Sequence, residues 1–424
     1  MNPFLRYFFG GLLLLAAACD GQSEALPTQM SLDAISTNSA ATTAAEAVVA
    51  ANAAATSVAL VALNQPTALP PTWTASAPPT EPPTQVVVPS TTPVPSDSGT
   101  IYYIFNGDSI ALLTADGLHE ELILVGGAPA DLTLSPDGQF LAYVADGANG
   151  TREVYITTLD GSVVQAVSCA GLAKVRLPAW SVDSSRLAFA GSESVNGALG
   201  IYTTGIAGSR QCPTGNGQRL LSATAITTLS SLTWSGDGKY VLFSSDSIYG
   251  VDVGTGTLFP PLTRPYGFGP DFNVVRRPDN NNVYYLKTDQ DDQTGAKVGV
   301  LSQFDPATIG DSFPLQELPG TRLAANWMRF SRDGRYLVAS SNSGSVSVQD
   351  MRQGTASTVA LGSQFPPQAV PSPDGELVAY LNAGSDDSSV AQIWLVGRDG
   401  KDAKQLTSHN EGTISDLNWG GNTG

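Results

Sequence analysis

Histidine, cysteine and basic charge are all scarce in this chain, and each scarcity removes a class of function. Its 424 residues include two histidines and three cysteines. Neither His119 nor His409 stands beside a Ser or Cys in a nucleophile motif. A Gly-x-Ser-x-Gly elbow, a His-Glu-x-x-His stretch, a Walker loop and a Cys-x-x-Cys pair are all missing, so hydrolase, zinc and nucleotide chemistry have no motif to rest on. No metal and no cofactor is expected. Both histidines fall in predicted surface loops and read as solvent-exposed. Only 14% of residues are charged, and 21 Lys plus Arg stand against 38 Asp plus Glu, a formal charge of −17. A surface of that sign repels phosphate backbones, which excludes nucleic acid as the partner. Long apolar runs are missing too: the longest, Tyr7 to Ala18, falls short of the roughly 20 residues that a spanning helix needs.

What is present begins at that run. Arg6 precedes it, it contains Phe8, Phe9 and Leu12 to Leu15, and it ends in Ala16-Ala17-Ala18-Cys19. This is the layout of a secretory signal. Small residues before a cysteine resemble the bacterial lipoprotein signal, which implies that residues 1–18 are cleaved and that Cys19 is acylated and becomes the mature N-terminus; Ala16 stands where Leu is commoner. Two acyl chains give stable anchoring where one does not. The expected location is extracytoplasmic, lipid-anchored at the cell membrane. Residues 19–99 follow as a stalk, Ala- and Thr-rich to about Asn64 and then dominated by Pro and Thr, as in Pro78-Pro79-Thr80-Glu81-Pro82-Pro83-Thr84. That composition buries too little apolar surface to offset the entropy of ordering, so a disordered linker is expected.

From residue 100 a repeat appears. Its mark is a turn: Ser135-Pro136-Asp137-Gly138, Ser181-Val182-Asp183-Ser184, Ser235-Gly236-Asp237-Gly238, Arg277-Pro278-Asp279-Asn280, Ser331-Arg332-Asp333-Gly334 and Ser372-Pro373-Asp374-Gly375. The aspartates are 46, 54, 42, 54 and 41 residues apart. Four residues after each stands Leu141, Leu187, Val241, Val283, Leu337 or Val378, and six after it Tyr143, Phe189, Phe243, Tyr285, Ala339 or Tyr380. Apolar spacing of two is a strand with a buried face. Asp bonding its own backbone and Gly accepting positive φ close the turns between strands. A further strand follows in each unit, as in Val154-Tyr155-Ile156 and Ile393-Trp394-Leu395.

Ser-Pro-Asp-Gly, a strand carrying an aromatic, then Ile-Tyr and Asp-Gly resemble the WD-like repeats of the TolB-type β-propellers, over about residues 100–422, which sets the expected propeller domain at 100–424. The resemblance implies an all-β propeller; it leaves function open, because the architecture hosts binding proteins, peptidase gates, lyases and lactonases alike. The count follows from the ends. Tyr103 to Gly117 matches the later strands of a unit that lacks its first strand, and Ile414 to Trp419 supplies one, so six whole units and a shared one predict seven blades. Six blades is the alternative if the irregular unit around Arg276 to Leu286 is not a full sheet.

Charge is segregated within the repeat. Lys174, Arg176, Arg264, Arg276, Arg277, Arg322 and Arg329 fall on predicted innermost strands or on the loops leading into them, and of these Arg176, Arg276, Arg277, Arg322 and Arg329 are the candidate ligand-binding residues. Guanidinium grips a carboxylate or phosphate at two points, so a funnel lined by Arg would receive an anionic group. Neutralisation of neighbouring carboxylates is the plainer use. The acidic loops carrying Asp289, Asp291 and Asp292, Asp386 and Asp387, Asp146 and Glu193 read either as calcium ligands or as solvated hairpin tips. Cys169 and Cys212 are the thiols left once Cys19 is lipidated. An oxidising compartment favours a disulfide between them, although blade topology sets them at opposite faces unless the segment from Gly205 to Gln218 makes a long excursion. The expected function is a monomeric binding or scaffold propeller for a protein or an anionic envelope polymer. The alternatives are a carbohydrate- or lactone-acting propeller enzyme and an accessory or sensor subunit of an envelope assembly.

Overall fold

Six of the turns read from the sequence are closed by backbone, and in five of them by one buried serine. Ser235 is typical: its Oγ donates to Asp237 Oδ1 (2.7 Å) and accepts from Tyr240 N (2.9 Å), while Asp237 Oδ1 also accepts from Lys239 N (3.1 Å). The same set recurs around Ser135, Ser181, Ser331 and Ser372. One side chain and one carboxylate thereby satisfy the N–H groups that the turn would otherwise orphan. In the sixth turn Arg277 replaces the serine; the backbone bond from Arg277 N to Asn282 O (3.0 Å) is kept, and Asn280 Oδ1 accepts from Asn282 N (2.9 Å) in place of the serine-aspartate set.

The structure, a computed structural model, describes residues 86–87, 99–206, 218–226, 228–290, 295, 297–310, 318–323, 325–341, 344–360, 368–384 and 389–421. Among them there is no helix long and apolar enough to cross a membrane. Seven antiparallel sheets follow one another. Blade 1 holds Thr100–Phe105, Ser109–Thr114 and Glu120–Val125, and its inner strand is Ile414–Gly420 from the other end of the chain. The inner strands of blades 2 to 7 are Ala130–Leu134, Lys174–Trp180, Ser231–Trp234, Phe272–Arg276, Trp327–Phe330 and Ala369–Pro371. Each inner strand packs beside the next, and the ring closes from blade 7 to blade 1. The fold is a seven-bladed β-propeller.

Closure is by register. Thr100 pairs with Gly420, Ile101 with Trp419 and Phe105 with Ile414, so the strand that blade 1 lacks in sequence is supplied by the last one. The irregular unit is a complete four-stranded blade, Phe272–Arg276, Val283–Gln290, Lys297–Phe304 and Leu318–Leu323, which removes the six-blade alternative. The short blade is the fourth, with three strands and a single bridge from Val251 to Leu258 at its outer edge. Val86–Val87 adds two residues to the outer edge of blade 1, against Leu124 and Val125, inside the segment read as stalk.

The period-two positions are the core between blades. Leu141, Leu187, Val241, Val283, Leu337 and Val378 are all fully buried, as are the aromatics two residues on, Tyr143, Phe189, Phe243 and Tyr285. Three of those rings stack on the facing third strand: Tyr143 on Tyr155 (5.6 Å), Phe189 on Tyr202 (5.4 Å) and Phe243 on Tyr249 (5.5 Å). Cross-strand aromatic pairs of this kind hold adjacent strands in register.

Candidate functional site

Inner strands present one side chain per blade at the same height, four residues before the turn: Asp416, Asp131, Leu177, Ser231, Asn273, Trp327 and Gln368, from blade 1 to blade 7. At four of these positions, Asp131, Leu177, Asn273 and Asp416, φ is about +55°, and the pairing with the second strand slips there. The bulge turns backbone N–H groups sideways towards the neighbouring blade. Gln368 Oε1 accepts from Leu417 N (3.2 Å), Asp416 from the backbone of Asp131 and Leu132, Asp131 Oδ2 from Leu177 N (3.1 Å), and Ser231 Oγ from Val274 N (2.7 Å). Asn273 Nδ2 donates to Asn326 O (3.1 Å). Five of the seven blade junctions are therefore stitched by this one sequence position, and Leu177 and Trp327 interrupt the belt. Nearer the turns the indoles of Trp180 and Trp234 add bonds to Thr133 O (3.4 Å) and Ala179 O (2.9 Å) of the preceding blade.

The belt surrounds an axial cavity of about 500 Å³, lined by the inner strands of blades 1 to 6. One end is constricted where turns of different blades meet. Gly138 adopts φ +73°, and a Cβ there would stand 3.3 Å from Arg332 Nη1, which comes from blade 6 across the axis. Arg332 N in turn donates to Pro373 O of blade 7 (3.2 Å).

Three of the arginines expected in the funnel line this cavity. Arg176 is half exposed, with Nε 3.9 Å from Asp131 Oδ2. Arg276 ends the inner strand of blade 5, where blades 1, 3 and 4 carry Trp419, Trp180 and Trp234. Its Nη1 donates to the carbonyls of Arg277 (3.2 Å) and Pro278 (3.3 Å), and it has no carboxylate partner among the described residues. Burial pushes its pKa down. Arg329 lies over the Trp327 ring at 4.3 Å. Burial lowers it to about 10, the negative charge of Asp416 working against that fall, so it remains a cation at neutral pH with no carboxylate within ion-pair distance among the described residues.

The other two arginines stand elsewhere. Arg277 is 11% exposed, with Nε 2.7 Å from Asp279 Oδ1 and 2.9 Å from Gly334 O, so it ties the turns of blades 5 and 6 together outside the cavity lining. Arg322 lies on the outermost strand of blade 5, opposite Val300, not on an innermost one. A radial position is set by strand order within a blade, and the alternating pattern is the same for inner and outer strands. Lys174 begins the inner strand of blade 3, and Arg264 is exposed in the loop before blade 5.

Two carboxylates that sequence reading passed over complete the lining, Asp131 and Asp416. Aligning the repeats on the turn and reading four residues back would have found them. Burial raises Asp416 to about 6, and the charge of Asp131 adds to the rise, against the two backbone N–H groups and Arg329.

Of the acidic loops, Asp146 pairs with Arg152 (2.6 Å) and Glu193 with Arg219 (3.5 Å); Asp291, Asp292, Asp386 and Asp387 lie outside the described residues. Among the described residues no group of three or more His, Cys, Asp or Glu stands close enough to hold a metal ion. His409 is not solvent-exposed as expected. Its ring packs on Phe105 (4.7 Å), and Nε2 lies 3.0 Å from Glu120 Oε1, which also accepts from Tyr103. Burial would raise Glu120, but the bonds from His409 and Tyr103 outweigh it and hold the carboxyl below its ordinary value. Cys169 is disulfide-bonded; Cys212, like Cys19, lies outside the described residues.

No family model matches the chain, and no curated protein matches it by sequence. Solved structures do match in fold. An oligogalacturonate lyase in complex with manganese is 13% identical at a TM-score of 0.52, over 74% of this chain and 97% of that one. The oligogalacturonate lyase of Vibrio parahaemolyticus is 12% identical at 0.52, over 70% of this chain and 91% of that one. TolB from Acinetobacter baumannii is 17% identical at 0.46, over 78% and 68%.

Proposed function

We propose that the protein is a lipid-anchored, extracytoplasmic binding propeller whose axial cavity receives an anionic group of a protein or envelope polymer. One observation carries this reading: Arg276 and Arg329, on adjacent blades, bring two partly desolvated cations to the wall of a closed ring without a carboxylate to pair with among the described residues. Holding a cation away from water without a counter-ion costs several kcal/mol, and an incoming carboxylate that accepts from guanidinium removes most of that cost. The acylated Cys19 and the stalk would hold this cavity off the membrane surface. The test is calorimetric titration with hexanoate at low salt. Binding that falls at least tenfold in Arg276→Ala/Arg329→Ala, with melting temperature nearly unchanged, supports the reading; binding that ignores both arginines overturns it.

A second reading has one observation in its favour. Asp131 and Asp416 both line the cavity, and burial raises the second to about 6; two carboxyl groups in one cavity, one of them raised, are the kind of pair that glycosidic or lactone chemistry uses. It ranks below binding because both carboxylates already serve as blade stitches, the role that Ser231, Asn273 and Gln368 fill at the same position without a charge. Turnover of uronic-acid oligosaccharides or lactones, lost in Asp416→Asn, would reverse the order.

A further inference from the structure

We infer that the group received in the cavity is zwitterionic, an ammonium and a carboxylate carried on one short aliphatic unit, as in an amino acid or the charged end of a peptide. The inference rests on reading the cavity as the binding site. Its basis is where the charges lie around the ring. Arg276 and Arg329 belong to blades 5 and 6, and Asp131 and Asp416 to blades 2 and 1. In a closed ring of seven, the midpoint of blades 5 and 6 faces the midpoint of blades 1 and 2 almost diametrically. The cavity is thus basic on one wall and acidic on the other.

The acidic wall is undercompensated. Arg176 makes only a long ion pair with Asp131, Nε to Oδ2 at 3.9 Å and beyond hydrogen-bond distance, and its own side chain is half in solvent. Asp416 has backbone N–H groups but, among the described residues, no cation bonded to it, and Arg329 acts on it only through space. A simple anion drawn to the arginines would meet this pair of carboxylates across the same space. A simple cation drawn to the aspartates would meet two guanidinium groups. Only a ligand that bears both charges is paired at both walls, and the potentials then add instead of cancelling. Between the walls, on blades 3 and 4, stand Leu177 and Leu232, suited to a methylene spacer. The volume of about 500 Å³ suits a small molecule or one terminal unit of a chain, not a folded domain.

The test is a ligand series on the unmodified full chain at low ionic strength: hexanoate, adipate, hexylamine and 6-aminohexanoate, which keep the chain length and change only the charges. The zwitterion is expected to bind at least tenfold more tightly than any of the other three. Asp131→Asn/Asp416→Asn should erase that advantage by weakening 6-aminohexanoate, while hexanoate, freed of the facing carboxylates, binds more tightly than before. Equal or weaker binding of 6-aminohexanoate, or an advantage that survives loss of both aspartates, overturns the inference while leaving the funnel reading intact. Absence of hexanoate binding, or its indifference to Arg276 and Arg329, overturns the funnel reading itself. Nα-acetyl-L-lysine separates the sources, because its blocked amine imitates a peptide C-terminus: affinity equal to that of 6-aminohexanoate assigns a peptide end, and loss of binding assigns a free amino acid.

Discussion

Replacing Asp416 by Asn removes a charge that the fold holds at a disadvantage while keeping an oxygen to accept from the backbone of Asp131 and Leu132. Burial, helped by the charge of Asp131, raises this carboxyl from an ordinary 3.8 to about 6. The sign follows directly. A raised carboxyl stabilises the fold fully when protonated, below about pH 4, and that contribution is lost as pH climbs towards 6. The difference corresponds to about 3 kcal/mol, which partial access to water in the cavity reduces to about 2 kcal/mol. For a propeller of about 320 residues, an unfolding entropy of about 2.1 cal/mol/K per residue makes this a shift of about 3 °C. Thermal melts of wild type and Asp416→Asn from pH 4 to 8 should therefore converge at the acid end and open to about 3 °C in favour of the variant by pH 7. Carboxylates shifted the other way, such as Asp183, held at about 2 by Ser181 and Ser185, cancel in that difference. A difference curve that is flat, or a variant less stable at neutral pH, would refute the reasoning.

Two further outcomes are expected. Truncation after Thr413 removes Ile414, Leu417 and Trp419, all buried, and strips blade 1 of its inner strand; the lost apolar burial alone is worth about 5–8 kcal/mol, so the protein should aggregate or melt far earlier, and an unchanged melting temperature would contradict closure by the last strand. Cys19→Ala should move the protein from the membrane fraction to the soluble one, whereas membrane association with the leader still attached would point to an uncleaved anchor.

The blade was legible in the chain because its signals are local. A Ser-x-Asp turn, an apolar residue four positions on and an aromatic six positions on act within one hairpin, and Leu187 and Phe189 are buried where that spacing puts them. The count of seven was legible for a similar reason: Ile414 to Trp419 carries the pattern of a first strand with no unit of its own to begin. Function was less legible. Arg276 and Arg329 were found because they sit one or two residues before a turn, whereas Arg322 was placed on the wrong strand of its blade and Arg277 was lost to Asp279 and Gly334. Asp131 and Asp416 are 285 residues apart in sequence, and their charges become neighbours only when the last strand closes the first blade. The sequence by itself determined the blades and their order, since both depend on contacts within a hairpin; the tertiary structure decided which charges face the axis and which wall each belongs to, since that depends on closing the ring.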